Sequence, residues 1–172
     1  TAPPQVRFFG WHRVSACCHW GPNRHSLKGC ATKAIRKSTD MKDSCDIEIR
    51  VRYPEADQMG VLHHSRFWVY FEMGRTELLR KSGVSYRDLE AHGVFFVVAR
   101  CEARHAAPAR YDDLLTLTTR ISRIAAARID HEYELKRKDD GVLLATAKTT
   151  IACVGRDGRL MQIPPDLNLG AV

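Results

Sequence analysis

The sequence predicts an α+β fold in which one long helix is covered by an antiparallel sheet, and three observations carry that prediction. Residues 46–53 alternate apolar and charged side chains, the period of a strand with one buried face. Residues 64–82 change to a helical period. Residues 94–154 return to alternation in four stretches broken by turn residues, with no helix between them to make parallel crossovers. At 172 residues and 44% apolar content, the chain suits one core of this kind rather than two.

The first strand is read from Ile47, Ile49, Val51 and Tyr53 facing inward and Glu48, Arg50 and Arg52 facing water, with Pro54 ending it. The long helix sets Phe67, Phe71, Gly74 and Leu78 on one face at four- and three-residue steps, and Gly83 stops it. Gly74 on that face costs about 1 kcal/mol relative to Ala, so close approach of the sheet is the expected compensation. The wet face offers Glu77 to Lys81 and Glu72 to Arg75, each with the acid first. A short helix over residues 85–91 ends at Gly93. Four strands follow over residues 94–104, 114–122, 128–137 and 142–154. The third is the clearest, with Ile129, His131, Tyr133 and Leu135 opposed to Asp130, Glu132, Glu134 and Lys136. Asp139, Asp140 and Gly141 join the last two as a hairpin, and Asp157 with Gly158 makes a further turn.

The net charge of +7 is unevenly distributed. Residues 1–40 carry seven Lys/Arg and one Asp, whereas the remainder carries 20 Lys/Arg against 19 Asp/Glu. A basic extension over residues 1–40 and a folded domain over residues 41–172 are therefore expected, with Met41 as the point where composition and patterning change. The extension has the character of a targeting presequence, a phosphate-binding arm or translated upstream sequence. Its Cys17, Cys18, His19, His25 and Cys30 match no standard zinc spacing, so no metal is expected. The near-neutral body has no aromatic and basic stripe, so nucleic acid is not an expected partner. The longest apolar run, Val94 to Ala99, is six residues, far short of the ~18 of a membrane-spanning helix. Cys45, Cys101 and Cys153 are odd in number and lack a C-x-x-C pair, and no signal-type apolar segment precedes them. A cytoplasmic location is expected.

Chemistry concentrates between the first strand and the long helix, in Tyr53, Glu55, Asp57, Gly60, His63 and His64. A carboxylate at a helix N-terminus is stabilised as the anion, and the free amides there can hold the oxygen of a polarised carbonyl. Asp57 beside those amides pairs a carboxylate with an oxyanion site, although its spacing equally fits a turn former or helix cap. His63 and His64 are adjacent, so on a helix they diverge by about 100° and do not readily serve one site.

The stretch Tyr53-Pro-Glu-Ala-Asp57-Gln-Met-Gly60-Val-Leu-His-His64-Ser-Arg-Phe67, followed by Tyr70-Phe-Glu72-Met-Gly-Arg75, resembles the acyl-CoA thioesterases of the 4-hydroxybenzoyl-CoA type. The resemblance implies a hotdog fold, a long central helix wrapped by a five-stranded antiparallel sheet, assembled as a homodimer or as a dimer of dimers (a homotetramer). It also implies an acyl-CoA substrate and no cofactor. Carried over residue by residue, Asp57 attacks the thioester or activates water, Gly60 permits a close turn, and the His64 amide polarises the carbonyl. Tyr53, His63, Arg66 and Phe67 fall where substrate is contacted, and Glu72 and Arg75 in a supporting position, where a helical ion pair is the simpler account.

Two positions depart from the family pattern. Glu55 replaces the first acid of a paired-Asp stretch; because Asp57 matches the second, this change is expected to matter little. Arg66 replaces a common Asn and puts a cation at the helix start, altering the acyl pocket or meeting a substrate carboxylate. Arg100, Arg104, Arg110 and Arg128 are candidates for the CoA phosphates by charge alone. A hydratase acting on enoyl thioesters and a non-catalytic acyl-CoA binder are the alternatives that keep the fold.

Overall fold

Alternation at the start of the domain produces β1 (Ser44–Arg50), which buries Cys45 and Ile49 and exposes Asp46, Glu48 and Arg50. The computed structural model describes residues 44–165. The expected boundary at Met41 and the zinc and presequence readings of residues 1–40 lie outside them. β1 ends three residues before the expected Tyr53. Pro54 occupies the start of a 3-10 turn, Tyr53–Glu55, where its fixed φ and missing N–H fit, so the chain turns and Tyr53 is 78% exposed.

The helical period gives α1 (His64–Lys81), with Phe67, Tyr70, Phe71, Gly74, Leu78 and Leu79 buried. At Gly74 the sheet comes as close as expected: a Cβ would lie 2.9 Å from Leu117 Cδ2 and closer still to Thr119 Oγ1. Glu72 pairs with Arg75 at 3.4 Å. Glu77 turns instead to Arg80, and Lys81 reaches the Asp46 carbonyl at 3.5 Å. The expected Glu77 to Lys81 pair is thus replaced, because β1 passes close enough to offer Lys81 a backbone acceptor. The short helix α2 (Tyr86–Ala91) is capped by the Ser85 hydroxyl, which accepts from the Asp88 amide at 3.2 Å.

Four strands complete the sheet: β2 (Phe95–His105), β3 (Leu114–Ala125), β4 (Arg128–Arg137) and β5 (Leu143–Val154). All pairings are antiparallel, in the order β1-β3-β4-β5-β2. Ala99 and Ser122 lie at register shifts in β2 and β3, and a third shift separates Leu135 from Lys136 on β4. Such bulges add local twist, and α1 packs on the curved sheet through β1 and β3. This is the hotdog architecture.

The space between α1 and the sheet holds two apolar clusters rather than one. Along β3 the inward residues run Leu117, Thr119, Ile121, and along β5 they run Ala147, Thr149, Ile151. On β4, Tyr133 stands opposite Thr119 and His131 opposite Ile121. Thr119, His131, Thr149 and the Tyr133 hydroxyl therefore form a polar belt between the clusters. The Tyr133 and Thr149 hydroxyls bond at 2.8 Å, whereas Thr119 Oγ1 and His131 Nδ1 have no partner among the described residues.

Candidate active site

After the 3-10 turn the chain makes a tight loop over residues 56–62 before entering α1. Ala56 pairs with Leu62, the Asp57 amide donates to the Val61 carbonyl at 2.9 Å, and the His63 amide donates to the Glu55 carbonyl at 2.9 Å. Gly60 closes the loop with φ at +72°, in the left-handed region that glycine enters without steric cost. Asp57 and the head of α1 are thereby the two legs of one short hairpin.

Asp57 Oδ1 accepts from the amides of Met59 at 2.8 Å and Val61 at 3.3 Å, so the turn-forming reading of this residue is realised. Its other oxygen has no partner among the described residues. At the helix head the first amides are nearly all taken. His63 N reaches Glu55, Ser65 N donates to His63 Nδ1 at 3.3 Å, and Arg66 N donates to the His63 carbonyl at 2.9 Å. The His64 amide is the one left without an acceptor among the described residues, which suits the oxyanion role carried over to it.

The best-anchored group in this region is Glu55, which is 2% exposed. Its carboxylate accepts from the Tyr70 hydroxyl at 2.7 Å, the Arg52 guanidinium at 2.7 Å and the Arg52 amide at 2.8 Å. Burial alone would push this carboxyl up, but the bonds from Arg52 and Tyr70 outweigh it and hold it at about 2. Burial, reinforced by the bond to the Glu55 anion, raises the Tyr70 phenol well above its ordinary value.

The two histidines depart from expectation. His63 is the N-cap, with extended backbone, so the helical divergence of about 100° does not apply. The two imidazoles approach with centroids 4.1 Å apart. His64 is exposed and Arg66 half-buried at the helix start. Tyr53 is not on a buried strand face but packs edge-on against Tyr111, with centroids 5.4 Å apart. Phe67 is buried in the core, packed T-shaped with the His105 ring at a centroid separation of 4.4 Å. Glu72 is exposed and Arg75 nearly buried, an ion pair three turns along the helix from its head.

A family model described as "Thioesterase-like superfamily" matches residues 51–169, more than half of the chain. The chain belongs to that superfamily. It is 35% identical over 107 residues to the acyl-CoA thioesterase YbgC of Haemophilus influenzae, covering 62% of this chain and 77% of the relative. The crystal structure of a probable thioesterase from Bartonella henselae is 36% identical, with a TM-score of 0.66 over 70% of this chain and 99% of that one. The 4-hydroxybenzoyl-CoA thioesterase of Pseudomonas sp. strain CBS-3, 20% identical, agrees in fold, with a TM-score of 0.68 over 73% of this chain and 97% of that one.

Within this thioesterase-like fold, a second loop, which carries no periodic signal in the sequence, braces the first. Residues 109–113 lie between β1 and the Asp57 loop. The Leu62 amide donates to the Ala109 carbonyl at 2.8 Å, Val61 pairs with Arg110, and Val51 bonds both Asp112 and Asp113 at 3.0 Å. The Asp113 carboxylate accepts from the Arg110 amide at 2.7 Å and from Arg137 Nε at 3.3 Å. Of the four arginines proposed by charge, Arg110 is the one brought to the loop, its guanidinium 4.0 Å from where a Gly60 Cβ would stand. Arg100 is paired with Glu102 at 3.0 Å. The signal available in the sequence was the turn-forming pair Asp112 and Asp113 ahead of β3, which marks a loop but not its neighbour. Among the described residues no cluster of His, Cys, Asp and Glu is arranged to hold a metal, and no helix is long and apolar enough to cross a membrane.

Proposed function

We propose that this chain hydrolyses acyl-CoA thioesters to a free acid and CoA. Asp57 acts as nucleophile or general base, and the His64 amide stabilises the oxyanion. The observation that carries the reading is the hairpin: among the described residues its one leg holds a carboxylate with one oxygen fixed by two amides and the other without a partner, and its other leg is a helix head whose one unused amide is that of His64. Relatives named as acyl-CoA thioesterases support the substrate class. Arg66 and Arg110, flanking the loop, are suited to anionic parts of the substrate.

The assembly proposed is a homodimer, with further pairing into a tetramer open. β2 lies at the end of the sheet, its outer edge unpaired among the described residues, and Val97 and Val98 on it are 46% and 50% exposed, so a second copy can extend the sheet there. Among the described residues Cys45, Cys101 and Cys153 form no disulfide with one another, in keeping with the proposed cytoplasmic location.

The test is release of CoA thiol from benzoyl-, short-chain and long-chain acyl-CoAs, comparing the wild type with Asp57→Asn and correcting for the protein's own cysteines. Turnover is expected to fall by about 10²–10⁴ in the variant. A folded Asp57→Asn protein that keeps its turnover removes this mechanism, and hydration of crotonyl-CoA without thiol release turns the reading to a hydratase.

A further inference from the structure

We propose that Glu55 is a positioning residue for the hydrolysis inferred above: its buried carboxylate, held by Arg52 and Tyr70, sets the Asp57 loop against the head of α1. The inference rests on that reading of Asp57 and adds a role that the resemblance did not carry, since the family pattern made the Glu at this position a neutral change.

A carboxylate that is 2% exposed is costly to desolvate, and an apolar side chain of similar volume would pack as well or better. What the anion does, and an apolar group cannot, is join three parts of the chain at one point. It takes the Arg52 amide and guanidinium from the residue before the 3-10 turn and the Tyr70 hydroxyl from the second turn of α1. Its own backbone carbonyl takes the His63 amide from across the hairpin. Asp57 lies two residues after it and the unused His64 amide one residue after its backbone partner. A shift of Glu55 therefore moves the nucleophile or base and the oxyanion donor relative to each other. Misplacement by about 1 Å costs on the order of a hundredfold in rate. Tyr70 fixes the helix along its axis in the same way, because its hydroxyl reaches Glu55 from fifteen residues on. Neither residue needs to touch the substrate.

The experiment compares the full-length wild type with Tyr70→Phe, Glu55→Gln, Asp57→Asn and the Glu55→Gln/Asp57→Asn double variant. The readouts are kcat and KM for CoA release, thermal melting, and amide exchange of residues 57–63 by mass spectrometry. Tyr70→Phe and Glu55→Gln are each expected to lose about tenfold to a hundredfold in kcat, with KM held within about threefold. The Glu55→Gln loss should vanish when Asp57 is already Asn, because a residue acting through another has nothing left to position. Amides of residues 57–63 should exchange faster in both single variants. A merely structural role predicts lower melting temperatures with kcat within about twofold of wild type, or equal losses in both Asp57 backgrounds; either result overturns the proposal. If Glu55→Gln does not fold, Tyr70→Phe, which keeps the ring, decides alone. Failure of the hydrolysis reading looks different, as no CoA release by the wild type or full turnover by Asp57→Asn. In that case the positioning role falls with the hydrolysis reading, and faster exchange of residues 57–63 in Tyr70→Phe marks only a structural hold on the loop.

Discussion

Gly74 leaves no room for a methyl group, since Thr119 Oγ1 and Leu117 Cδ2 already occupy the space. Gly74→Ala gains about 1 kcal/mol of helix propensity but must push α1 from the sheet at a cost of about 1–3 kcal/mol, so a net loss of up to about 2 kcal/mol is expected by urea denaturation. A gain in stability would show that the helix can shift freely. This contact was legible in the sequence, because a glycine on the apolar face of an otherwise good helix demands a compensating close approach. Glu55 was not legible. Its spacing placed it on a turn, and only Tyr70, a tertiary neighbour fifteen residues on, decides that it is buried. Asp57 shows the converse, since its turn-forming and candidate chemical roles use different oxygens of one carboxylate and the sequence had no means of separating them.

Elements were easier to read than their ends. α1 and β4 follow periodicity closely because each buries one face over ten or more residues, where the hydrophobic pattern outweighs local choices. β1 was extended too far because Val51 keeps the alternation while Pro54 already commits the chain to turn. The loop over residues 109–113 carries no periodic signal, and its importance arises only from contact with Val51, Val61 and Leu62. Asp113 is its anchor, fixing the Arg110 amide and the Arg137 guanidinium. Asp113→Ala is expected to cost about 1–2 kcal/mol in a denaturation experiment, the range for charge-assisted hydrogen bonds of this kind. A loss below about 0.5 kcal/mol would mean that the backbone bonds hold the loop by themselves.

At the scale of the whole molecule, acid should weaken the fold in two stages. His131 is buried, and that burial, with the nearby Arg75 charge opposing protonation and Asp130 favouring it, lowers the imidazole to about 4 from 6.5. The unfolded chain therefore binds a proton that the folded chain refuses, and stability falls as pH drops from about 6.5 to about 4. The loss over that window is on the order of 3 kcal/mol. Glu55, with its carboxyl at about 2 against 4.5, contributes stability that is complete above about 4.5 and is lost as pH falls towards 2. Denaturation midpoints measured between pH 7 and 4.5 should decline in the wild type and flatten in His131→Leu. An equal slope in both proteins would assign the acid sensitivity elsewhere.

The polar belt through Thr119, Tyr133, Thr149 and His131 also decides how the protein can be engineered. Phe67, Tyr70 and Phe71 belong to the apolar cluster that supports the Asp57 loop, whereas Leu78, Leu89, Ile129 and Ile151 belong to the other. Because hydroxyl and imidazole groups separate the two, a larger side chain on the second side presses on the belt before it reaches the aromatic residues beneath the loop. That second half is the natural place for repacking or cavity filling aimed at thermal robustness.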